Sequence, residues 1–269
     1  MYDGSTLTGD VAMDFGDDEV ALLAGSMITG DVYGGEGDDA FTLMVGATVT
    51  GNLIGGADND TLTLDGDADD DGGSINSDAI REFETLVKSG TGDWTLTGSS
   101  TLADTAIKAG TGTAAGKLIF DGTADLTTNI EVNGATIRAA SAGAFGTGTI
   151  HAIDPTIEFG ATGEYANDIS LEVVAPASDD PTTLVVDSGV TATLSGAITR
   201  GGGDTVQPLN IGGAGTIVLT NSGNSWTGTT TIGEDATLQG ALDTISGSSF
   251  VSNGTLAFVQ TDSGTLDRD

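Results

Sequence analysis

The residues GDDEVALLAGSMITGDVYGGE, starting at Gly16, align without a gap on GDDAFTLMVGATVTGNLIGGA, starting at Gly37. The same shift of 21 residues carries GSTLTGDV from Gly4 onto GSMITGDV from Gly25 and GATVTGNL from Gly46, and GDDAFTL onto DNDTLTL from Asp58. Within each copy apolar residues alternate with small or polar ones, which is the period of strands and not of helices. The inward candidates fall in columns: Leu7, Ile28 and Val49; Val11, Val32 and Leu53; Val20, Phe41 and Leu62; Leu22, Leu43 and Leu64. A unit this short cannot bury its own apolar side, so copies must stack as coils joined by parallel strand pairing. The reading is an all-β parallel β-helix, or solenoid, with rungs of roughly 21 residues. At about 4.8 Å per rung, some twelve or thirteen rungs would make a rod on the order of 60 Å long.

Composition removes the competing classes. Glycine occurs 43 times in 269 residues but not at every third position, and only four prolines are present, so collagen is excluded. Hydrophobic residues make up 38%, enough for a packed core, which argues against a disordered acidic chain. A formal charge of −33 disfavours nucleic acid and anionic lipid as partners. With no cysteine there is no disulfide, thiolate metal site or cysteine nucleophile. No run approaches 18 apolar residues, and the opening MYDGSTLTGD lacks the basic and apolar parts of a signal peptide.

Three regions are expected. Residues 1–64 hold the regular repeats, 65–80 an acidic loop insertion, and 81–269 looser rungs continuous with the first part. In Ser77 to Lys88 we read a short turn leading into a strand, with Phe83, Thr85 and Val87 suited to one face. Beyond Gly90 the strands WTLTG, KLIFDG, TIEFG, TLVVDSG and TIVLTNSG recur every 10 to 20 residues between Gly, Asn, Asp and Ser turns.

The stretch GTIVLTNSGNSWTGTTTIGEDATLQG, Gly215 to Gly240, resembles the passenger-associated repeat of Gram-negative autotransporters. Leu219, Asn224, Trp226, Gly228, Thr230, Ile232 and Leu238 carry the match, with echoes at Glu84 to Gly98 and Asn133 to Ile150. The resemblance implies a right-handed parallel β-helix at the cell surface or secreted, translocated through an outer-membrane β-barrel that this chain does not contain. With no signal peptide and a last segment that reads as a rung cut partway, it further implies an excised passenger piece.

Two acidic constellations are candidate metal sites. GGEGDDAFT, Gly34 to Thr42, fits the calcium-binding nonapeptide G-G-x-G-x-D-x-U-x, and GGADNDTLT, Gly55 to Thr63, departs from it at one glycine. The period stacks Asp18, Asp39 and Asp60 in one column and Asp17 and Asp38 in the next, so that Ca²⁺ shared between rungs stands against solvated turn aspartates as the reading. DADDDG, with Asp67, Asp69 and Asp71 and with Asp78 in twelfth position, has the opening of an EF-hand loop. Chemistry has less to work with. His151 is the sole histidine, no serine sits in a nucleophile motif, and only seven basic residues occur, none before Arg81. Trp94 and Trp226 read as packing residues. The expected function is a structural and adhesive module without enzymatic activity, contacting a host or bacterial surface ligand or its own kind. The alternatives are a fragment of a carbohydrate-active β-helix enzyme and a calcium-dependent binding module.

Overall fold

Residues one repeat apart sit side by side. Val20 pairs with Phe41 and Phe41 with Leu62, Leu22 with Leu43 and Leu43 with Leu64, all in parallel register. The structure is a computed structural model that describes residues 4–68, 72–99, 102, 104–110, 115–122, 126–172, 181–201, 206–247 and 249–259. Every sheet in it is parallel, and together they form a β-solenoid of about 11 turns. The one helical element among the described residues is the 3₁₀ turn Ser77–Ala79.

The chain visits three faces in a fixed cyclic order. The first begins as a three-stranded sheet, Thr6–Thr8, Met27–Thr29 and Thr48–Val49, and is taken up by a nine-stranded sheet from Gly73–Asn76 to Ser249–Ser252. The second holds four strands from Val11–Ala12 to Ile80–Arg81 and resumes as five from Gly163–Tyr165 to Thr255–Phe258. The third runs unbroken through nine strands, Glu19–Leu22 to Ile198–Arg200. Where the second face lapses, Leu102, Leu126 and Phe145 turn inward at the same corner and are buried. Phe145 meets Phe120 edge to face at 5.5 Å and lies 6.2 Å from both Phe159 and Tyr165. Large side chains thus fill what a third strand would otherwise close.

One apolar core runs from Val20 to Ile245. Of the inward columns, Leu7 alone is well exposed, at 41%, on the strand Thr6–Thr8 at the edge of its described sheet. The turn count is below the twelve or thirteen expected because several turns exceed 21 residues by more than the shorter ones, such as those joining Ile130 to Ile150 and Ile150 to Ile169, fall below it. Hydrogen-bonded partners 21 residues apart in the first turns give way to spacings of 24, 29 and 26. At about 4.8 Å per turn the rod is about 50 Å long.

The segment after the insertion differs in facing from the sequence reading. Phe83 is buried, but Leu86 and Lys88 point inward and Thr85 and Val87 outward. Lys88 therefore continues the column of Leu22, Leu43 and Leu64, fully buried between Leu64 and Ala109. The small neighbour leaves room for its stem, and its Nζ donates to the carbonyls of Ser89 and Gly90. Burial pushes its pKa below the ordinary lysine value, against the opposing pull of Asp65 and Asp93.

Candidate functional site

The acidic columns form as the period requires, and their carboxylates are engaged. Asp18, Asp39 and Asp60 each precede a third-face strand. Asp39 Oδ1 accepts from the backbone N–H of Asp18 at 2.8 Å, and Asp60 Oδ1 from that of Asp39 at 2.8 Å. Glu84 Oε2 closes the series on the N–H of Asp60 at 2.7 Å. Asp39, Asp60 and Glu84 thus each cap the turn before their own. The neighbouring columns run the other way: Asp17 Oδ1 accepts from Asp38 N–H and Asp38 Oδ1 from Asn59 N–H, both at 3.0 Å. At the other corner Asp10 Oδ1 accepts from Asp31 N–H at 2.9 Å and Asp31 Oδ1 from Asn52 N–H at 2.6 Å. These are charge-assisted bonds to backbone donors that a corner would otherwise leave unpaired. The Asn52 N–H, with the Tyr33 hydroxyl, holds the Asp31 carboxyl below its usual range.

Asp39 and Asp60 are buried, at 2% and 0% exposure, and the Oδ2 of each has no hydrogen-bond partner. The paired glycines of the motif make that burial feasible. A Cβ on Gly34 would collide with Asp39 Oδ2, and one on Gly55 would lie 2.7 Å from Asp60 Oδ2 and collide with the Glu82 carbonyl. The G-G-x-G-x-D spacing here makes room for a carboxylate beside the backbone. Desolvation raises the Asp60 pKa to about 6, opposed by the Asp39 N–H and reinforced by the charges of Asp39, Glu84 and Asp38.

One oxygen of Asp39 and one of Asp60 are spent on N–H groups, and among the described residues no three acidic or histidine side chains stand together to hold a metal ion. In the EF-hand-like run, Asp67 is exposed, while Asp69 and Asp71 lie outside the described residues. Asp78 belongs to the 3₁₀ turn, and its carboxylate accepts from Ser99 N–H at 3.2 Å. Both tryptophans are buried: Trp94 Nε1 donates to the Asp65 carbonyl and Trp226 Nε1 to Thr230 Oγ1.

A second cluster escaped the sequence reading. On the outer side of the third face, Lys108 pairs in register with Glu131 and Glu131 with His151. Glu172, one turn further on, reaches back to His151 Nδ1 at 2.5 Å. They line an open groove of about 280 Å³ together with Asn129. A carboxylate-paired imidazole, a free-standing carboxylate and an ammonium can exchange protons with a bound molecule. On the first face, Lys117 and Arg138 share Glu158, at 2.7 and 3.1 Å, and Arg138 also binds Asp187. That bond keeps the Asp187 carboxyl below its usual range and the Arg138 guanidinium charged. Of the seven basic residues, these two are consumed in tying successive turns together.

No helix among the described residues is long and apolar enough to cross a membrane. No protein-family model, no curated protein and no solved structure matches this chain. What the fold defines is a parallel β-solenoid whose corners are capped by acidic ladders.

Proposed function

We propose that the chain is a structural and adhesive module, a passenger-type solenoid displayed at a bacterial cell surface or secreted, which acts by contact and not by catalysis. The observation that carries this reading is the straight rows of outward side chains on a continuously packed core. Thr191, Thr216, Thr237 and Thr255 stand in register along the second face, one per turn. Weak contacts repeated at a fixed spacing on a rigid support add by multivalency. The passenger-like segment supports it too: Asn224 bridges turns by accepting from Ile198 N–H and donating to the Thr244 carbonyl, and Trp226, Ile232 and Leu238 are buried. Cells displaying the chain behind an outer-membrane barrel should clump or bind a surface more than cells with the barrel alone. Equal behaviour would refute the reading.

An enzymatic reading is favoured by one observation, the His151, Glu172, Glu131 and Lys108 groove. It requires turnover of a glycan or ester substrate that is lost in both His151→Ala and Glu131→Gln. A screen without turnover counts against it.

A further inference from the structure

The first face parts once. Its three-stranded sheet ends at Thr48–Val49 and the next begins at Gly73–Asn76, with no hydrogen bonding between them. The same two turns remain paired on the other faces, Leu53 with Ile80 and Leu62 with Leu86. The parting holds a cleft of about 170 Å³. Its floor is apolar, from the buried Leu43 and Leu53, and its walls carry Thr48, Thr50, Ser74 and Asn76.

Backbone groups also turn into it. The N–H groups of Thr48 and Thr50 donate to the preceding turn, at Ser26 and Ile28, so the alternation of a strand aims the polar groups of Val49 across the cleft. From the opposite wall, Gly73 N–H donates onward to Asp93, which leaves the polar groups of Ser74 directed back toward the cleft. Donors and acceptors therefore flank an apolar floor, and among the described residues no charged side chain lines the cleft, in a chain of net charge −33.

An occupant must be uncharged, rich in both donors and acceptors, apolar on one side, and smaller than the ligands of pockets of about 300–1,000 Å³. A single sugar ring has these properties, with hydroxyls around its edge and a C–H face. We infer that the cleft binds one neutral pyranose, presented as the terminal residue of a glycan. This gives the adhesive surface proposed above its ligand class, and the glycan as source rests on that reading. Among the described residues no aromatic ring offers a stacking platform in the cleft, so each site binds with a Kd on the order of 1 mM and gains by repetition across many displayed copies.

The test is an amide NMR titration of the protein with methyl glycosides of glucose, galactose and N-acetylglucosamine, and with glucuronate and glucosamine as charged counterparts. At least one neutral glycoside should shift the Val49 and Ser74 signals saturably, with charged counterparts weaker by about fivefold or more. Ser74→Trp fills the cleft and should abolish the shifts. Thr95→Trp occupies the position paired with Ser74 one turn on and should leave them intact, circular dichroism confirming that both variants fold. Oligosaccharides ending in the same sugar should bind like the methyl glycoside. The inference is overturned if no neutral sugar binds, if charged sugars bind equally, if Ser74→Trp binds like wild type, or if only the free sugar enters. Displayed-cell adhesion is scored separately. Cells that adhere although no sugar binds refute the cleft alone, whereas sugar binding without adhesion refutes the adhesive reading alone.

Discussion

Asp60 makes the stability of this solenoid depend on pH in a direction opposite to that of an ordinary salt-bridged aspartate. Its carboxyl is buried, faces the charges of Asp39, Asp38 and Glu84, and has its pKa raised from 3.8 to about 6. The folded chain therefore holds this proton more tightly than the unfolded one. The contribution to stability is complete below 3.8 and is lost as pH rises through about 6. At 1.36 kcal/mol per pKa unit the shift corresponds to about 3 kcal/mol, or about 5–10 °C in Tm for a chain of this size. Falling pH also relieves repulsion among the other acids, so wild type alone is not diagnostic. Asp60→Asn supplies the reference: its amide oxygen can still accept from Asp39 N–H, while the titrating group is gone. Thermal melts of both proteins from pH 4 to pH 8 should diverge through the window from 3.8 to 6, the variant gaining on wild type as pH rises. Any cost of burying the new amide N–H groups is constant with pH and drops out of the trend. A difference that stays flat across the range would refute the reasoning.

Lys88 tests the same physics with the other sign. Lys88→Met should stabilise the protein by about 1–3 kcal/mol at pH 7, because it removes a buried cation from a leucine column; the gain should vanish as pH rises past the ordinary lysine value, read by chemical denaturation. Arg138→Met leaves Glu158 and Asp187 facing each other without a shared cation and should cost about 1–2 kcal/mol, less in 1 M salt, since the site is partly exposed. Because the ladder carboxylates cap backbone N–H groups, chelation should leave the melting curve unchanged and calorimetry with Ca²⁺ should show no binding heat; a saturable heat that disappears in Asp39→Asn would restore the calcium reading.

How far the sequence could be read followed from how regular it is. Where the spacing is constant, position in the sequence is position in space, so the columns of Val20, Phe41 and Leu62 and of Asp18, Asp39 and Asp60 were legible from the sequence. Column membership does not say whether a carboxylate turns to solvent, to an ion or to a backbone N–H, because that depends on the close corner geometry around Gly34 and Gly55, where even a Cβ would collide. Grouping Phe83, Thr85 and Val87 on one face misses the inward turn of Lys88, because an ammonium in a leucine column violates the apolar alternation that such a reading relies on. The Lys108, Glu131, His151 and Glu172 groove was invisible for a different reason. Its members are brought together across corners of unequal length, so no fixed spacing signals the cluster. The cleft between Thr48–Val49 and Gly73–Asn76 arises where the 21-residue spacing widens, Leu53 pairing with Ile80 and Leu62 with Leu86, and such a widening reads in sequence only as a loop, although residues 73–76 and 80–81 are strands.

The two polarities of the aspartate ladders make each of the first turns interchangeable with the next. The Asp17 column caps forward and the Asp18 column caps backward, so every turn offers its neighbours the same donors above and the same acceptors below. Removing or duplicating one such 21-residue unit leaves no cap unmatched and no core column broken. Gene-level changes in copy number thereby alter reach with only side-chain repacking inside each column, such as Phe41 in place of Val20 or Leu62. Length in this region is a quantity that selection can set in steps of one turn, independently of the surface that the rest of the rod presents.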